Sequence, residues 1–503
     1  MIAKLEKAVA WAKRQAGWRG ALLNAVAGAL FTLCFAPFSL FVFIVPSLCV
    51  FYCQLQSAER LRQGFWRGWF YGFGFFLGGT YWISNALLVD AEQFAWLLPF
   101  SLLGLTGGLA LFFALMGAAY VWIRTKVKAD SIFLFAGLLS LTEWLRSTIL
   151  TGFPWNLSGY ASAGLPGLDL GVSYIGVFGL GLLLMFWAVS LLCSKRWWHV
   201  AVWAVLPIVV AMILPHLRSY ETRPLGMTAR VVQPNISQSL KWEPAYMAQT
   251  MRRLVSLSSK AGLERIDLVV WPETAIPYTV YADSEWLADT VSFLSEGQYL
   301  LTGAVYSEDE AFWNSMLLIN HLGEIVARYD KQHLVPFGEY VPLSEYLPMD
   351  RIAPGIGAFS LGEQPREFTA PSLPKLHGLI CYEIVYPQYA NTNADLMINL
   401  TNDAWFGDSL GPYQHAEMTR FRAIEQGVTV LRAANTGVSA IYMPDGRLAY
   451  TTKLGETLAF DVEVMGAKSS KTMYRFFGNT TYWYLLILCG LGMVRRNMYV
   501  TRP

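Results

Sequence analysis

The sequence predicts a bundle of about eight membrane-spanning helices joined to an α/β domain of layered sheets. Three observations lead there. Apolar residues make up 54% of the chain and charged residues only 15%, and mean hydropathy is positive, a balance that fits a membrane protein better than a soluble one. The long apolar runs crowd into the first part of the chain and its last stretch, leaving 216–475 with ordinary soluble composition. Within that stretch, short apolar runs ending in polar residues alternate with helical periodicity.

In chain order, candidate spans fall at 20–36, 39–56, 65–88, 95–123, 131–148, 170–193 and 197–215, with a last one in "FFGNTTYWYLLILCGLGMV". The expected organisation is therefore a seven-span bundle over 1–215, a soluble domain over 216–475, and an eighth span with a tail over 476–503. Lys4, Lys7, Lys13, Arg14 and Arg19 precede the first span, and further spans follow at once, so the start reads as a signal-anchor. Gly64, Gly68 and Gly72 recur every four residues, the pattern of closely packed membrane helices.

Loop charge sets the orientation. Arg60, Arg62 and Arg67, then Arg124, Lys126 and Lys128, then Lys195 and Arg196 lie in alternate loops on the side of the basic N-terminal segment. The intervening loops are acidic at 89–93 and uncharged through 147–168. Basic loops stay cytoplasmic, so seven crossings place 216–475 outside the cytoplasm. Lys471 and Arg475 run against this, beside a large translocated domain where the rule weakens. The net charge of +2, without a long basic run, does not indicate nucleic acid as a partner. No phosphate-cradling glycine motif is present, and the six histidines are widely spaced, so neither cofactor nor metal is expected.

Five of the six cysteines, Cys34, Cys49, Cys53, Cys193 and Cys489, fall in predicted spans or at their edges, where a thiol behaves as a small hydrophobe. Cys381 stands alone in the soluble part. A thiol without a partner in an oxidising compartment is either reactive or buried and inert.

The soluble part reads as strands at 227–236, 266–273, 299–306, 376–383 and 394–403. Hairpins are expected over 314–330, turning at Leu322-Gly323, and over 439–450, turning at Asp445-Gly446. Helical periodicity covers 246–262 and 414–435. In such architectures, polar residues at strand ends gather at one edge. Glu273 follows one strand in "VVWPETAIP"; Lys331 and Glu339 lie in "RYDKQHLVPFGEYVP"; Cys381 ends "LIC".

A carboxylate, an ammonium and a thiol make a nucleophilic site that needs no histidine or metal. A thiol of pKa near 8.5 is only ~3% thiolate at pH 7, a deficit of about 2 kcal/mol. A carboxylate can take its proton during attack, and a lysine can hold the oxyanion that follows. The Tyr382 amide is placed as a second oxyanion donor, by analogy with nucleophile elbows. Each residue also has an ordinary reading: Glu273 as an exposed loop acid, Lys331 as a solvated residue after a hairpin, Glu339 and Glu383 as their structural partners.

Taken in order, "WPETAIP", "YDKQHLVPFGEYVP", "CYE" and "NLTNDAWFG" resemble the Glu, Lys and Cys pattern of the nitrilase superfamily. With "QPNISQSLKW" ahead of them, "TGFPWNLSGY" in the membrane part and seven spans before the domain, the whole chain resembles the apolipoprotein N-acyltransferase family of Gram-negative bacteria. That resemblance implies an α-β-β-α sandwich facing the periplasm from the inner membrane. It implies a phospholipid acyl donor, typically phosphatidylethanolamine, and an apolipoprotein acceptor carrying a diacylglyceryl-cysteine. Carried over by motif, Glu273 is the general base, Lys331 the stabiliser of the intermediate and Cys381 the nucleophile, with Glu339, Tyr382 and Glu383 in support and Trp242 aiding substrate. Ester to thioester to amide runs downhill and needs no nucleotide.

Two apolar, Gly/Pro-rich loops, 335–348 and 403–413, are expected beside the site, either as ordinary packing or resting on the bilayer. A membrane-tethered amidase has the same residue set; a transporter with an appended domain would have to work through Glu143 and Arg146 near the end of the fifth span.

Overall fold

Apolar helices make up the first of two units in the computed structural model, which describes residues 2–127, 131–193, 196–218, 221–342, 358–468 and 472–500. The first unit comprises Met1–Tyr81, Leu97–Ser219 and Thr472–Pro503; the second comprises Trp82–Trp96 and Tyr220–Lys471. Lys128, Lys195, Lys471 and the 343–348 part of the first expected loop lie outside the described residues.

In the first unit, helices occupy Gly17–Thr32, Ile44–Gln56, Leu61–Thr80, Leu98–Val127, Ile132–Arg146, Val172–Ser190, Trp197–Leu217 and Thr480–Val500. Among the described residues, three stretches, Ala91–Val127, Leu168–Ser190 and Trp197–Leu217, are long and apolar enough to cross a bilayer. The other expected spans coincide with helices that are shorter or less apolar. Leu61–Thr80, for example, spends its length on glycines, Arg62 and Arg67. Its glycines have a packing reason. A Cβ on Gly68 would fall 2.0 Å from the Phe113 carbonyl oxygen, and one on Gly64 would fall 2.4 Å from that of Gly117. Only a bare Cα lets these two backbones approach so closely. Glu143 and Arg146 are buried and hold the loop that follows their helix. Ser158 donates to Glu143 through its amide at 3.0 Å and its hydroxyl at 2.6 Å, and Arg146 Nη1 donates to the Trp155 carbonyl at 2.8 Å.

The second unit is built on two sheets. Its strands are β1 (Thr222–Gln233), β2 (Leu268–Val270), β3 (Thr279–Val280), β4 (Tyr299–Glu308), β5 (Ala311–Asn320), β6 (Ile325–Asp330), β7 (Glu367–Phe368), β8 (Leu376–Ile380), β9 (Leu396–Thr401), β10 (Thr429–Ala434), β11 (Ala440–Tyr442), β12 (Leu448–Thr451) and β13 (Leu458–Ala467). One sheet runs β13-β1-β2-β4-β5-β6, with β3 added to β4; the other runs β12-β11-β10-β9-β8-β7. The inner strands β1, β2 and β4 are parallel, as are β8, β9 and β10.

Alternation along the strands assigns the faces. Ala229 and Val231, Leu396, Ile398 and Leu400, and Leu431 and Ala433 enter a core that both sheets share. Val232, Val269, Trp271, Leu300 and Leu317 face a second core with Leu254 and Leu257 of the helix Pro244–Ser258. On the other flank the helix Gly411–Gln426 is buried along most of its length, with Thr419 accepting from Arg432 of β10 at 3.2 Å. The layering is therefore helix, sheet, sheet, helix.

One expected element is corrected. The helix predicted over 414–435 stops at Gln426, because Gly427 takes the left-handed conformation (φ 64°), and the "TVLRAA" that follows is β10. Its β-branched and apolar residues suit a buried central strand.

Candidate active site

Strand ends deliver the site. Glu273 lies just past β2, in a turn that crosses β4 at Gly303. A Cβ on Gly303 would sit 2.4 Å from the Thr274 amide nitrogen and 2.6 Å from the Glu273 Cα, so only glycine admits the turn. Lys331 immediately follows β6, and its amide donates to the Asn314 carbonyl of β5 at 2.9 Å. Cys381 follows β8 and opens a 3-10 turn, with φ of 51°, a left-handed value that costs a non-glycine residue energy and marks a strained position.

Lys331, Glu273 and Glu339 converge. Lys331 Nζ donates to Glu339 Oε1 at 2.9 Å and stands 3.7 Å from Glu273 Oε1. Asn314 Nδ2 ties the carboxylates together, donating to Glu273 Oε1 and to Glu339 Oε1, each at 2.8 Å. The Val335 amide donates to the other Glu339 oxygen at 2.7 Å. All three charged side chains are buried. Burial pulls the Lys331 ammonium toward neutrality, but Glu339 and then Glu273 outweigh it and hold it well above the usual lysine range. For Cys381, burial and then the Glu273 charge push the thiol far above its ordinary value, while Lys331 acts the other way. The resting sulfur is a thiol, and any nucleophilic use of it requires that proton to leave.

Glu383 has a different task. Buried on all sides, it accepts hydrogen bonds from the Ile380 amide at 2.8 Å, the Gln332 amide at 2.8 Å, the His333 amide at 3.1 Å and the Tyr329 hydroxyl at 2.8 Å. It thereby ties the turn bearing Cys381 to the segment bearing Lys331. Tyr382 is half-buried in an aromatic cluster, 5.1 Å from Tyr386 and 6.0 Å from His333 between ring centroids. Trp242 is also half-buried, and its ring lies 5.9 Å from Lys241 Nζ.

Lys241 is one residue that sequence reasoning missed. It is buried, and its ammonium donates to the Glu273 carbonyl at 3.2 Å and to the Thr274 hydroxyl, so it props the turn that presents Glu273. Burial lowers its pKa to about 8 against the pull of Glu273 and Cys381. Its position beside Trp242 in "QSLKW" was the available signal, but a lone lysine there looks solvated. Asn314 gave no signal at all inside its strand.

Behind Cys381 lies a second buried group. Thr401, the last residue of β9, places its hydroxyl 3.4 Å from Cys381 Sγ and 3.0 Å from Asp403 Oδ1. Arg432 Nη2 donates to Asp403 Oδ2 at 2.6 Å, His415 Nδ1 lies 2.8 Å from Asp403 Oδ1, and His415 Nε2 lies 3.2 Å from the Cys381 carbonyl oxygen. Burial would raise the Asp403 carboxyl, but Arg432 and then His415 hold it down, at about 2. The expected loop 403–413 is in fact a 3-10 turn, Asp403–Phe406, followed by the helix that starts at Gly411. Phe406 packs on Trp82 at 4.4 Å, and Asn85 donates to the Phe406 carbonyl at 2.8 Å.

Residues 228–463 match the Carbon-nitrogen hydrolase family, and residues 27–190 match the Apolipoprotein N-acyltransferase N-terminal domain. Proteins named apolipoprotein N-acyltransferase align along most of the chain. That of Allorhizobium ampelinum is 38% identical over 86% of this chain and 87% of its own. That of Brucella melitensis is 38% identical over 96% of each, and that of Rhodopseudomonas palustris 37% over 87% and 88%. The sheet sandwich and the first of these matches define a carbon-nitrogen hydrolase domain of the nitrilase superfamily. Joined to the apolar N-terminal part, it makes the assignment narrower: the chain belongs to the apolipoprotein N-acyltransferase family.

Proposed function

We propose that this chain moves an acyl chain from a phospholipid, typically phosphatidylethanolamine, onto the α-amine of the N-terminal diacylglyceryl-cysteine of an apolipoprotein, through a thioester on Cys381. The observation that carries the division of labour is the unequal spacing around Lys331. Its ammonium is paired closely with Glu339 and stands farther from Glu273. Glu339, the closer partner, holds the ammonium, and the looser partner, Glu273, is the group that takes the thiol proton.

In the first half-reaction Cys381 Sγ bonds to the ester carbonyl carbon as its proton passes to Glu273. The Lys331 ammonium and the Tyr382 amide hold the oxyanion. The ester C–O bond then breaks, and the leaving alcohol takes the proton from Glu273, releasing a lysophospholipid. In the second half-reaction the acceptor amine attacks the thioester, Glu273 takes the amine proton, the C–S bond breaks, and Glu273 returns that proton to the departing sulfur, restoring the thiol. Glu339 keeps Lys331 charged and in place, Glu383 fixes the nucleophile turn, and Trp242 lines the approach of substrate. Both substrates are lipid-anchored, which suits eight spans with the sandwich on the periplasmic side of the inner membrane, the N- and C-termini being cytoplasmic.

Intact mass spectrometry after incubation with phospholipid tests this. The expected result is a gain of one acyl chain, released by hydroxylamine and missing in Cys381→Ser. Adding a diacylated lipopeptide should move that mass onto the peptide. Loss of the adduct to water instead would make the chain a hydrolase.

A further inference from the structure

The Thr401 hydroxyl has one proton and two acceptors within reach, Cys381 Sγ at 3.4 Å and Asp403 Oδ1 at 3.0 Å. In the resting enzyme the choice is clear, since a protonated sulfur is a weak acceptor and the Asp403 carboxylate a strong one. Asp403, however, does not depend on that bond. It is already met by Arg432 at 2.6 Å and by His415 at 2.8 Å. The Lys331 ammonium, by contrast, has its nearest contacts with Glu339 and Glu273 and its proposed task at the oxyanion.

We propose that Thr401 is a further catalytic residue, whose hydroxyl turns from Asp403 to the Cys381 sulfur whenever that sulfur carries negative charge. The inference rests on Cys381 being the nucleophile. Charge appears on sulfur twice. In the first half-reaction the S–H bond breaks toward Glu273 as the S–C bond forms. In the second the C–S bond breaks as the N–C bond forms, the electron pair stays on sulfur, and the amine proton goes to Glu273. A neutral donor already aimed at the sulfur stabilises the thiolate both as nucleophile and as leaving group, and no further charge has to be desolvated. The fold supports this use. Strand alternation turns Asn399 and Thr401 away from the core shared by the sheets, toward Arg432 and Asp403, so the pair that relieves Asp403 stands on the same face as the hydroxyl.

The test uses the full-length enzyme in detergent and reads the Cys381 thiol without any acyl donor. Iodoacetamide labelling is followed on the Cys381 peptide as a function of pH. Thr401→Val keeps the shape of a buried strand residue and removes the hydroxyl, and Thr401→Ala does the same with less bulk; Thr401→Ser keeps it. The expected result is about tenfold slower labelling at each pH from 7 to 9 in the valine or alanine variant, the equivalent of a thiol about one unit harder to ionise. The serine variant should stay within about twofold of the parent. Thermal midpoints near the parent's establish that the variants are folded. An unchanged labelling rate in a folded variant lacking the hydroxyl, or an equal slowing in Thr401→Ser, overturns the proposal. Absence of an acyl adduct in the parent protein would strike the functional reading instead, and labelling still decides the thiolate contact.

Discussion

Lys331 gives its nearer contact to Glu339, at 2.9 Å, although Glu273 is the carboxylate that the turn after β2 presents. On the proposed mechanism, the closer partner holds the lysine and the farther one serves as base. Glu339→Gln should release Lys331 toward Glu273 and tie up the proposed base. Acyl-enzyme formation is expected to fall by about 10²–10³, with the fold retained because the glutamine oxygen still accepts from Val335. An undiminished acylation rate in that variant would count against the division of roles.

Glu383 is a clasp of four donors around one carboxylate. Glu383→Ala strands three backbone amides and a tyrosine hydroxyl in the interior, where each unmet group costs about 1–3 kcal/mol. The expected outcome is a sharply lowered thermal midpoint and rapid proteolysis near Cys381. A variant that melts with the parent protein would show the clasp to be dispensable.

Gly303→Ala tests how finely Glu273 is placed. The added methyl meets the backbone of Glu273 and Thr274, not a flexible side chain. The turn has to move, and a shift of about an ångström is worth about 10² in rate. Slowed acyl-enzyme formation with little change in thermal midpoint is expected. Full activity would mean that the turn tolerates displacement.

Asp403 links stability to acid. Its folded pKa, held at about 2 by Arg432 and His415, lies below an unfolded value of about 3.9. Its stabilisation is therefore fully present above pH ~4 and disappears as the pH falls toward 2. Asp403→Asn, which leaves Arg432 buried without its counter-charge, should cost about 3–5 kcal/mol at neutral pH. Denaturant melts of both proteins at pH 7 and pH 3 check this, since the gap between them should narrow in acid.

Lys241 is a penalty where Asp403 is a gain, although stability rises with pH in both cases. Burial lowers its folded pKa to about 8 from 10.5, so the unfolded chain binds more protons between those values and stability rises with pH across the window. The penalty below pH 8 is about 3 kcal/mol. Lys241→Met should remove this rise, so that its thermal midpoint gains less than the parent's between pH 8 and pH 10.5. Parallel curves would place the charge in water.

Local pattern carried much of this protein. Each inner strand announces itself as an apolar run closed by a polar residue, because a buried parallel strand needs apolar side chains on both faces and must end where the chain meets the edge. Glu273 and Cys381 are legible for that reason, and Lys331 because it follows the hairpin of β5 and the edge strand β6. The end of the helix at Gln426 was legible in principle from Gly427, but the helical spacing of the apolar residues masked the β-branched run that follows. In the membrane part, hydropathy marked where helices lie but not how long each is, since glycines within Leu61–Thr80 serve packing and its Arg67 donates to the Gln54 carbonyl and the Ser57 hydroxyl at the end of the preceding helix.

Only the tertiary structure decided the rest, because it depends on distances between residues far apart in the chain. It set the preference of Lys331 for Glu339, the bridge from Asn314, the burial of Lys241 under the Glu273 turn, and the pairing of Thr401 with both Asp403 and Cys381. A sequence determines which groups a strand end can offer. Which of them share a proton is determined by fractions of an ångström, and those arise when two sheets close on one another.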